Sequence, residues 1–318
     1  LIEEYVQFKQ LGLAVIDEQH RFAVAQRAEL RNKAAIPPHV LVMTATPIPR
    51  TMAMTAYGDL DCSVMDELPP GRKPVTTVHR FETARPSVMD FVRGEIAKGR
   101  QAYFIYPLIE ESANVDYENL MKGYEEVKAF FPEPGFYISM VHGRQKPEVK
   151  ATNMDRFKSN DTQIMVSTTV IEVGVDVPNA SVMVIESAEK FGLSQLHQLR
   201  GRVGRGSEQS FCILLTGRNL TNEARERLKI MCATNDGFKI ADKDLELRGP
   251  GDIEGTRQSG ALQFKLVSLL NDHGLLEKAK QLADELLDAD PDLSARENAM
   301  LKHHLSAQKG KTLWSTIA

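Results

Sequence analysis

The chain has 318 residues, which is enough for two domains with their own cores and a smaller appendage. Its formal net charge of −4 excludes a uniformly basic protein, so binding of a polyanion must rely on the local placement of arginine and lysine. No run of eighteen apolar residues occurs, which predicts that the protein has no membrane partner. The three cysteines lie far apart, and we interpret them as thiols of a reducing cytoplasm rather than as a disulfide framework or a metal site.

The first short apolar run, residues 13–16, predicts a strand that is buried on both faces of a parallel sheet. Asp17 and Glu18 follow it directly, and ligands of open α/β sheets bind at the carboxyl ends of strands. A carboxylate there can hold Mg²⁺, while its neighbour can position or deprotonate an attacking water. Acid pairs after strands are common, so these two residues alone are equally consistent with an ordinary surface turn.

An alternation of apolar strands and amphipathic helices continues along the chain and predicts an α/β fold with parallel sheets. A second strand is predicted at residues 39–43, followed by Thr44 and Thr46 in a loop stiffened by proline. Residues 66–74 are rich in proline, glycine and charge, which is typical of a connection between domains. Beyond it we predict strands at 75–78, 101–106, 136–141, 181–186 and 211–216, another from 164, and helices at 86–99, 115–131 and 147–158.

The stretch from Leu199 to Arg205 contains three arginines and two glycines. On a helix, Gln198, Arg202 and Arg205 would share one face because they are spaced by four and three residues. Two guanidiniums and an amide on one face suit the charge that spreads over a transferring phosphoryl group. The alternative is a solvated basic helix, which is what charge runs usually are.

The pattern becomes helical after residue 216. Thr221 is a suitable N-cap for a first helix, and a second helix is predicted at residues 238–248, ending at a glycine-rich loop that begins at Gly249. An apolar stripe between 276 and 286 is interpreted as core or docking surface, and residues 294–297 as a capping box.

Several long stretches, taken in order, resemble the motifs of superfamily 2 helicases and, more narrowly, those of the RecG family of ATP-dependent DNA helicases. The resemblance runs from about Leu11 to Phe264. Besides the arginine stretch, it is carried by Ile16-Asp-Glu-Gln-His-Arg-Phe22, Met43-Thr-Ala-Thr-Pro-Ile-Pro-Arg-Thr51, Asp66-Glu-Leu-Pro-Pro-Gly71, Ser167-Thr-Thr-Val-Ile-Glu-Val-Gly-Val-Asp176 and Asp244-Leu-Glu-Leu-Arg-Gly-Pro-Gly251.

This resemblance implies RecA-like parallel sheets followed by a helical hairpin and C-terminal helices. Residues 1–72 would be the second half of motor domain 1, residues 73–218 a complete motor domain 2, and residues 219–318 the translocation motif with a helical region. The implied activity is ATP-driven remodelling of branched DNA, such as stalled replication forks and Holliday junctions, in recombination and repair in a bacterial cytoplasm.

The resemblance also implies roles for individual residues, with ATP and Mg²⁺ as cofactors. Asp17 would be the metal ligand and Glu18 the catalytic carboxylate, while Arg202 and Arg205 would act on the γ-phosphate when the two motor domains close. Further nucleotide-facing residues would be His20, Gly174, Asp176 and Gln198. DNA contacts would come from Thr44, Thr46, His142, Gly143, Arg144, Thr168 and Thr169, and coupling to translocation from Arg248 and Gln258.

The sequence contains no Gly-x-x-x-x-Gly-Lys-Ser/Thr phosphate loop, which a motor of this family needs. We therefore expect this polypeptide to be a fragment without that loop or the wedge domain, and inactive as an ATPase by itself. We expect the intact enzyme to be monomeric. The fragment is expected to self-associate through residues 1–70, because two strands without their neighbours present open edges.

Two other interpretations stay open. One is a translocase like the transcription-repair coupling factors, although that family typically has glutamate where Gln19 stands. The other is a nucleic-acid-binding module without catalysis. An ATPase assay on the fragment beside the intact protein would separate that module from a motor.

Replacement of Arg248 by alanine in the full-length enzyme is expected to spare ATP hydrolysis and to abolish fork unwinding. The reason is that the loop after the helix would no longer transmit motor movement to a duplex arm. ATPase and fork-unwinding assays on one preparation measure the two activities, and loss of both would contradict this role.

Overall fold

The computed structural model describes Val6, residues 8–18, 38–44 and 63–65, Glu67, and residues 69–108, 113–168, 176–252 and 273–307. The chain forms two compact units: the first comprises residues 1–65 together with 245–318, and the second comprises residues 66–244. Within the described ranges, every helix is too short or too polar to cross a membrane.

The first unit contains a two-stranded parallel sheet, as the apolar runs predict. Strand β1, Leu13–Ile16, pairs in register with β2, His39–Val42. The prediction that β1 is buried on both faces is wrong, because Leu13 and Val15 are 60% and 54% exposed. Side chains alternate along a strand, so these two share a face that none of the described elements covers. Self-association through residues 1–70 stays a prediction.

The second unit is built on six parallel strands, which are β3 Thr76–Phe81, β4 Gln101–Tyr106, β5 Ile138–Val141, β6 Ile164–Thr168, β7 Ala180–Ile185 and β8 Phe211–Thr216. Their order in the sheet is β3-β8-β7-β4-β6-β5. Every residue of the neighbouring strands β4 and β7 is buried, because helices cover both faces of a sheet of this kind. Strand β3 extends beyond its prediction because its pairing with β8 continues to Phe81.

Helices connect these strands, and their ends follow the sequence signals. Glycine at position 99, with φ of +82°, follows the first helix, and the Thr221 hydroxyl accepts the Ala224 N–H at 3.1 Å as the predicted N-cap. The helices are α1 Arg85–Ala97, α2 Ala113–Phe130, α3 Pro147–Lys158, α4 Leu193–Arg200 and α5 Asn222–Ala233.

A buried ion pair ties the start of α1 to the end of β7. Arg85 Nη2 donates to Glu186 Oε2 at 2.6 Å, and the Glu186 side chain is only 5% exposed. Burial raises the pKa of the Glu186 carboxyl to about 7, while the adjacent Arg85 guanidinium acts in the opposite direction. This pair therefore fixes the segment that leads from β7 into α4.

Helix α6, Gly237–Asp252, is longer than predicted. The prediction ended this helix at residue 248 and began a glycine-rich loop at Gly249. A proline at position 250 has no N–H to donate to the carbonyl four residues earlier, which weakens the last turns of this helix. Helix α7, His273–Ala289, and helix α8, Ala299–Ala307, follow. The stripe of α7, expected to be core or docking surface, is not core where the structure describes it, since Leu282 is 57% exposed.

The turn after α7 depends on Asp290 rather than on the predicted capping box at residues 294–297. Asp290 Oδ1 accepts the N–H and the hydroxyl of Ser294, and Oδ2 accepts the Ala295 N–H and the Asn298 amide at 2.8 to 2.9 Å. These hydrogen bonds lower the pKa of the Asp290 carboxyl. The box fails because the serine hydroxyl is bonded to Asp290 instead.

Candidate functional site

The predicted acidic pair lies at the carboxyl end of β1. Asp17 is exposed, and its Oδ1 accepts the backbone N–H of Glu18 at 2.8 Å. Glu18 has a φ of +51°, a conformation that non-glycine residues seldom adopt and that often occurs at functional sites. Thr44 is exposed two residues after β2, so it lies at the same edge of this small sheet.

The prediction that Gln198, Arg202 and Arg205 share one helix face is wrong. Helix α4 ends at Arg200, and only Gln198 of the three belongs to it. The backbone leaves the helix through Gly201 and then Gly204, where φ is +79°. Glycine adopts that angle at little steric cost, so the two glycines of the motif end the helix before it reaches Arg202 and Arg205.

Beyond the helix, Arg205 lies next to Asp176, with 3.5 Å between Nη1 and Oδ1. The side chains are 28% and 55% exposed, so solvent screens the pair and its contribution to stability is small. The charges of Arg202 and Arg205 both act to lower the pKa of Tyr103 on β4, although burial raises it more strongly. The structure therefore brings both arginines and Asp176 around one tyrosine.

Arg200, the third arginine of the stretch, has a different environment. It is 3% exposed, and its Nη1 donates to the carbonyls of Met231 and Thr234 at 3.0 and 2.7 Å. Burial, together with the Arg200 charge, lowers the pKa of His197 to about 4, so the neutral ring can accept from Arg200 Nη2 at 3.0 Å. Arg200 thus satisfies carbonyls at the end of α5, a role that the sequence did not separate from those of its neighbours.

A second group of predicted residues gathers at the carboxyl edge of the six-stranded sheet. The register pairs Val141 with Ser167, so His142 and Thr168 follow at adjacent positions on β5 and β6. Both are buried, and among the described residues His142 Nδ1 and Thr168 Oγ1 have no hydrogen-bond partner. Buried polar atoms are seldom left unpaired, so these two atoms mark a place where a ligand can bind.

Positive charge surrounds this edge. Arg144 is exposed, and Lys150 Nζ donates to the carbonyl of Gly143 at 3.0 Å. Burial lowers the pKa of His142, and the charges of Lys150 and Arg144 lower it further, so its ring is neutral near pH 7. Tyr117 lies beside both His142 and Arg144. Neither Lys150 nor Tyr117 was predicted, because neither belongs to a motif.

The remaining predicted site residues fall where the structure gives no description. Positions of His20, Thr46, Thr169, Gly174 and Gln258 lie outside the described residues, as does the side chain of Arg248. Over the described part of the chain, no group of three or more histidine, cysteine, aspartate or glutamate side chains is arranged to hold a metal ion. The assignment of Asp17 as a metal ligand remains a prediction.

Comparison with known proteins defines the class. A family model described as "Helicase conserved C-terminal domain" matches residues 88–207, and one described as "ATP-dependent DNA helicase RecG, domain 3, C-terminal" matches residues 234–318. The helicase MrfA bound to DNA has a TM-score of 0.52 at 18% identity over 74% of this chain and 35% of that one, a likeness of fold alone. The described α/β unit is therefore a RecA-like helicase domain.

Relatives at higher identity narrow the comparison to RecG helicases. The ATP-dependent DNA helicase RecG of Synechocystis sp. is 52% identical over 95% of this chain and 36% of that protein, and that of Bacillus subtilis is 48% identical over 96% and 44%. The structure of RecG bound to a three-way DNA junction has a TM-score of 0.66 at 47% identity over 87% of this chain and 35% of that one. The chain is therefore similar to RecG helicases over nearly all of its length, and it spans less than half the length of these relatives.

Replacement of Arg200 by methionine is expected to lower the free energy of unfolding by about 2 kcal/mol or more, because two carbonyls lose their donor. Replacement of Arg205 by methionine serves as the matched control and is expected to cost less than about 1 kcal/mol, because its ion pair is exposed. Urea unfolding of the full chain measures both, and equal destabilisation by the two variants would contradict a division between structural and functional arginines.

Proposed function

We propose that the protein to which this chain belongs is an ATP-dependent DNA helicase that remodels branched DNA such as forks and junctions. The observation that carries the proposal is the pairing of two groups in one RecA-like unit. The first group lies at the carboxyl edge of the sheet and combines basic side chains with a hydroxyl. The second group consists of the two arginines, Arg202 and Arg205, around Tyr103. The relatives named RecG support the assignment to DNA, and the RecG structure with a three-way junction supports branched DNA.

The carboxyl edge has the chemistry of a DNA-backbone contact. Arg144 and Lys150 supply positive charge, and Thr168 supplies a hydroxyl that can donate to a phosphate oxygen. His142 is neutral, so its ring can donate one N–H to phosphate in the matching tautomer. Gly143, which lies between His142 and Arg144, has no side chain and therefore allows the DNA backbone to approach closely. Thr44, Thr46 and Thr169 extend this set in the proposal.

The arginine pair is suited to bind the phosphates of a nucleotide. Arg202 and Arg205 would neutralise charge that develops on the γ-phosphate of ATP, and the side-chain amide of Gln198 would orient that phosphate. Asp176 holds Arg205 at 3.5 Å in an exposed pair, which is weak enough to be exchanged for a phosphate. His20 and Gly174 complete the nucleotide-facing set in the proposal.

The acidic pair fits a hard divalent cation. Asp17 is exposed at the end of a strand and offers the carboxylate oxygens that Mg²⁺ prefers, while Glu18 is next to it. When bound, Mg²⁺ would supply positive charge that neutralises the phosphates of the nucleotide. Asp17 would be its ligand, and Glu18 would orient the attacking water and accept its proton.

Coupling of hydrolysis to movement is assigned in the proposal to Arg248 and Gln258, in the segment beyond α5. The chain by itself is proposed to be inactive as an ATPase, because its sequence contains no phosphate-loop motif. The intact protein is proposed to act as a monomer in the bacterial cytoplasm, and the bacterial origin of the relatives supports that location.

Replacement of Arg205 by alanine in the intact protein is expected to lower the turnover number of DNA-stimulated ATP hydrolysis by about 10³-fold or more, since an arginine that stabilises the transferring phosphoryl group contributes about that much. Affinity for a DNA junction is expected to be unchanged, because the DNA contacts lie at the other edge of the sheet. Steady-state phosphate release and fluorescence anisotropy measure the two quantities.

The matched control is Arg225→Ala, which removes an exposed arginine of α5 in the same unit and is expected to leave both quantities unchanged. Normal turnover by the Arg205 variant would contradict the proposed role of the arginine pair. A parallel loss of DNA affinity would contradict the separation of the two groups.

A further inference from the structure

Tyr117 on α2 contacts two residues of the carboxyl edge at once. The Arg144 guanidinium carbon lies 5.1 Å from the centre of the Tyr117 ring, and the His142 ring meets the same tyrosine edge-on at 5.3 Å between centroids. We propose that Tyr117 is a positioning residue that holds Arg144 and His142 in the arrangement that binds a DNA phosphate. This inference rests on the proposed DNA contact by the carboxyl edge.

The contact with Arg144 has the geometry of a cation–π interaction, because the guanidinium is within about 6 Å of the ring centre. Arginine has a long side chain that loses considerable rotamer freedom when it holds a ligand. A ring that already restricts the guanidinium lowers that cost, so the tyrosine contributes to affinity without touching DNA. Lysine at position 144 would not reproduce this arrangement, since its ammonium lacks the planar face.

The contact with His142 closes one side of a buried ring. His142 is 8% exposed, and its Nδ1 is among the buried atoms without a hydrogen-bond partner in the described part of the chain. The groups that face it are Tyr117, Arg144 and Lys150. The tyrosine therefore fixes the direction of the imidazole, while burial, aided by the two cations, lowers its pKa and keeps it neutral.

The backbone of this segment is held by other residues, so the role of Tyr117 is confined to side chains. Gln145 Oε1 accepts the His142 N–H at 3.1 Å, and its Nε2 donates to the Met140 carbonyl at 3.1 Å. Asn153 donates to the same carbonyl at 2.9 Å. Loss of the tyrosine ring should thus loosen Arg144 and His142 without displacing the loop.

Helix α2 presents Tyr117 from a firmly packed face. Leu120 and Val127 are fully buried, and they follow Tyr117 at spacings of three and ten residues that lie on the same side of a helix. Packing of these two residues fixes the helix and therefore the position of the Tyr117 ring. Because Tyr117 itself is only half-buried, its replacement removes little of the core.

The test is a double-mutant cycle on the full chain with a fluorescein-labelled three-way DNA junction, measured over a range of salt concentrations. Arg144→Ala is expected to weaken binding and to reduce the salt slope by about one, as for the loss of one phosphate contact. Tyr117→Leu is expected to weaken binding about two- to fivefold, which is the cation–π contribution expressed as affinity. Tyr117→Phe should bind like the original chain.

The double variant Tyr117→Leu with Arg144→Ala should lose clearly less affinity than the sum of the two single losses, because the part of the tyrosine's effect that passes through the arginine is already gone and only its contact with His142 remains. Additive losses would overturn the inference while leaving the DNA role of Arg144 in place. Unchanged binding by Arg144→Ala would instead refute the proposed DNA contact itself.

Fluorinated phenylalanines at position 117 provide a readout that a purely structural role would not move. They keep the size of the ring while weakening the negative charge of its face. Affinity for the junction is expected to fall stepwise as fluorine atoms are added. Constant affinity across the series would overturn the inference, even if Tyr117→Leu failed to fold.

Discussion

The parallel direction of all six strands is the constraint on which the described unit depends. Strand β4 is buried along its whole length between β6 and β7, and it fixes the direction of both neighbours. Because all strands run the same way, the residues that follow them collect at one edge of the sheet and those that precede them at the other. His142 and Thr168 collect at the first edge, whereas Asp176 precedes β7 and meets Arg205 near the second.

The arginine stretch shows how closely structural and functional residues can be interleaved. Arg200 is buried and donates to two carbonyls and a histidine, so its charge is committed to the fold. Arg205 is partly exposed and is held by a screened pair with Asp176 and by a long hydrogen bond of 3.4 Å from its Nε to the Gly201 carbonyl. The glycine at position 204, with its positive φ, separates the two environments within a few residues. A guanidinium that is to bind phosphate must remain available in this way.

The sequence predicted the strands well where burial dominates and the site less well where turns dominate. Strand β4 has its predicted bounds because apolar side chains cover both of its faces, whereas the helix expected to continue to Arg205 ends at Arg200. Periodicity alone could not weigh two glycines against a favourable spacing of arginines. Tyr117 escaped prediction because its contacts with His142 and Arg144 join residues from different elements. The Asp290 turn was not predicted because it depends on four donors that converge on one carboxylate.

The most direct measurement is an experimental structure of the intact protein with a DNA junction and a non-hydrolysable ATP analogue. We expect DNA phosphate oxygens within hydrogen-bond distance of Arg144, of Thr168 Oγ1 and of the His142 ring, and the terminal phosphate of the analogue in contact with Arg202 and Arg205. DNA bound at another face, with the arginine pair remote from the nucleotide, would contradict this expectation.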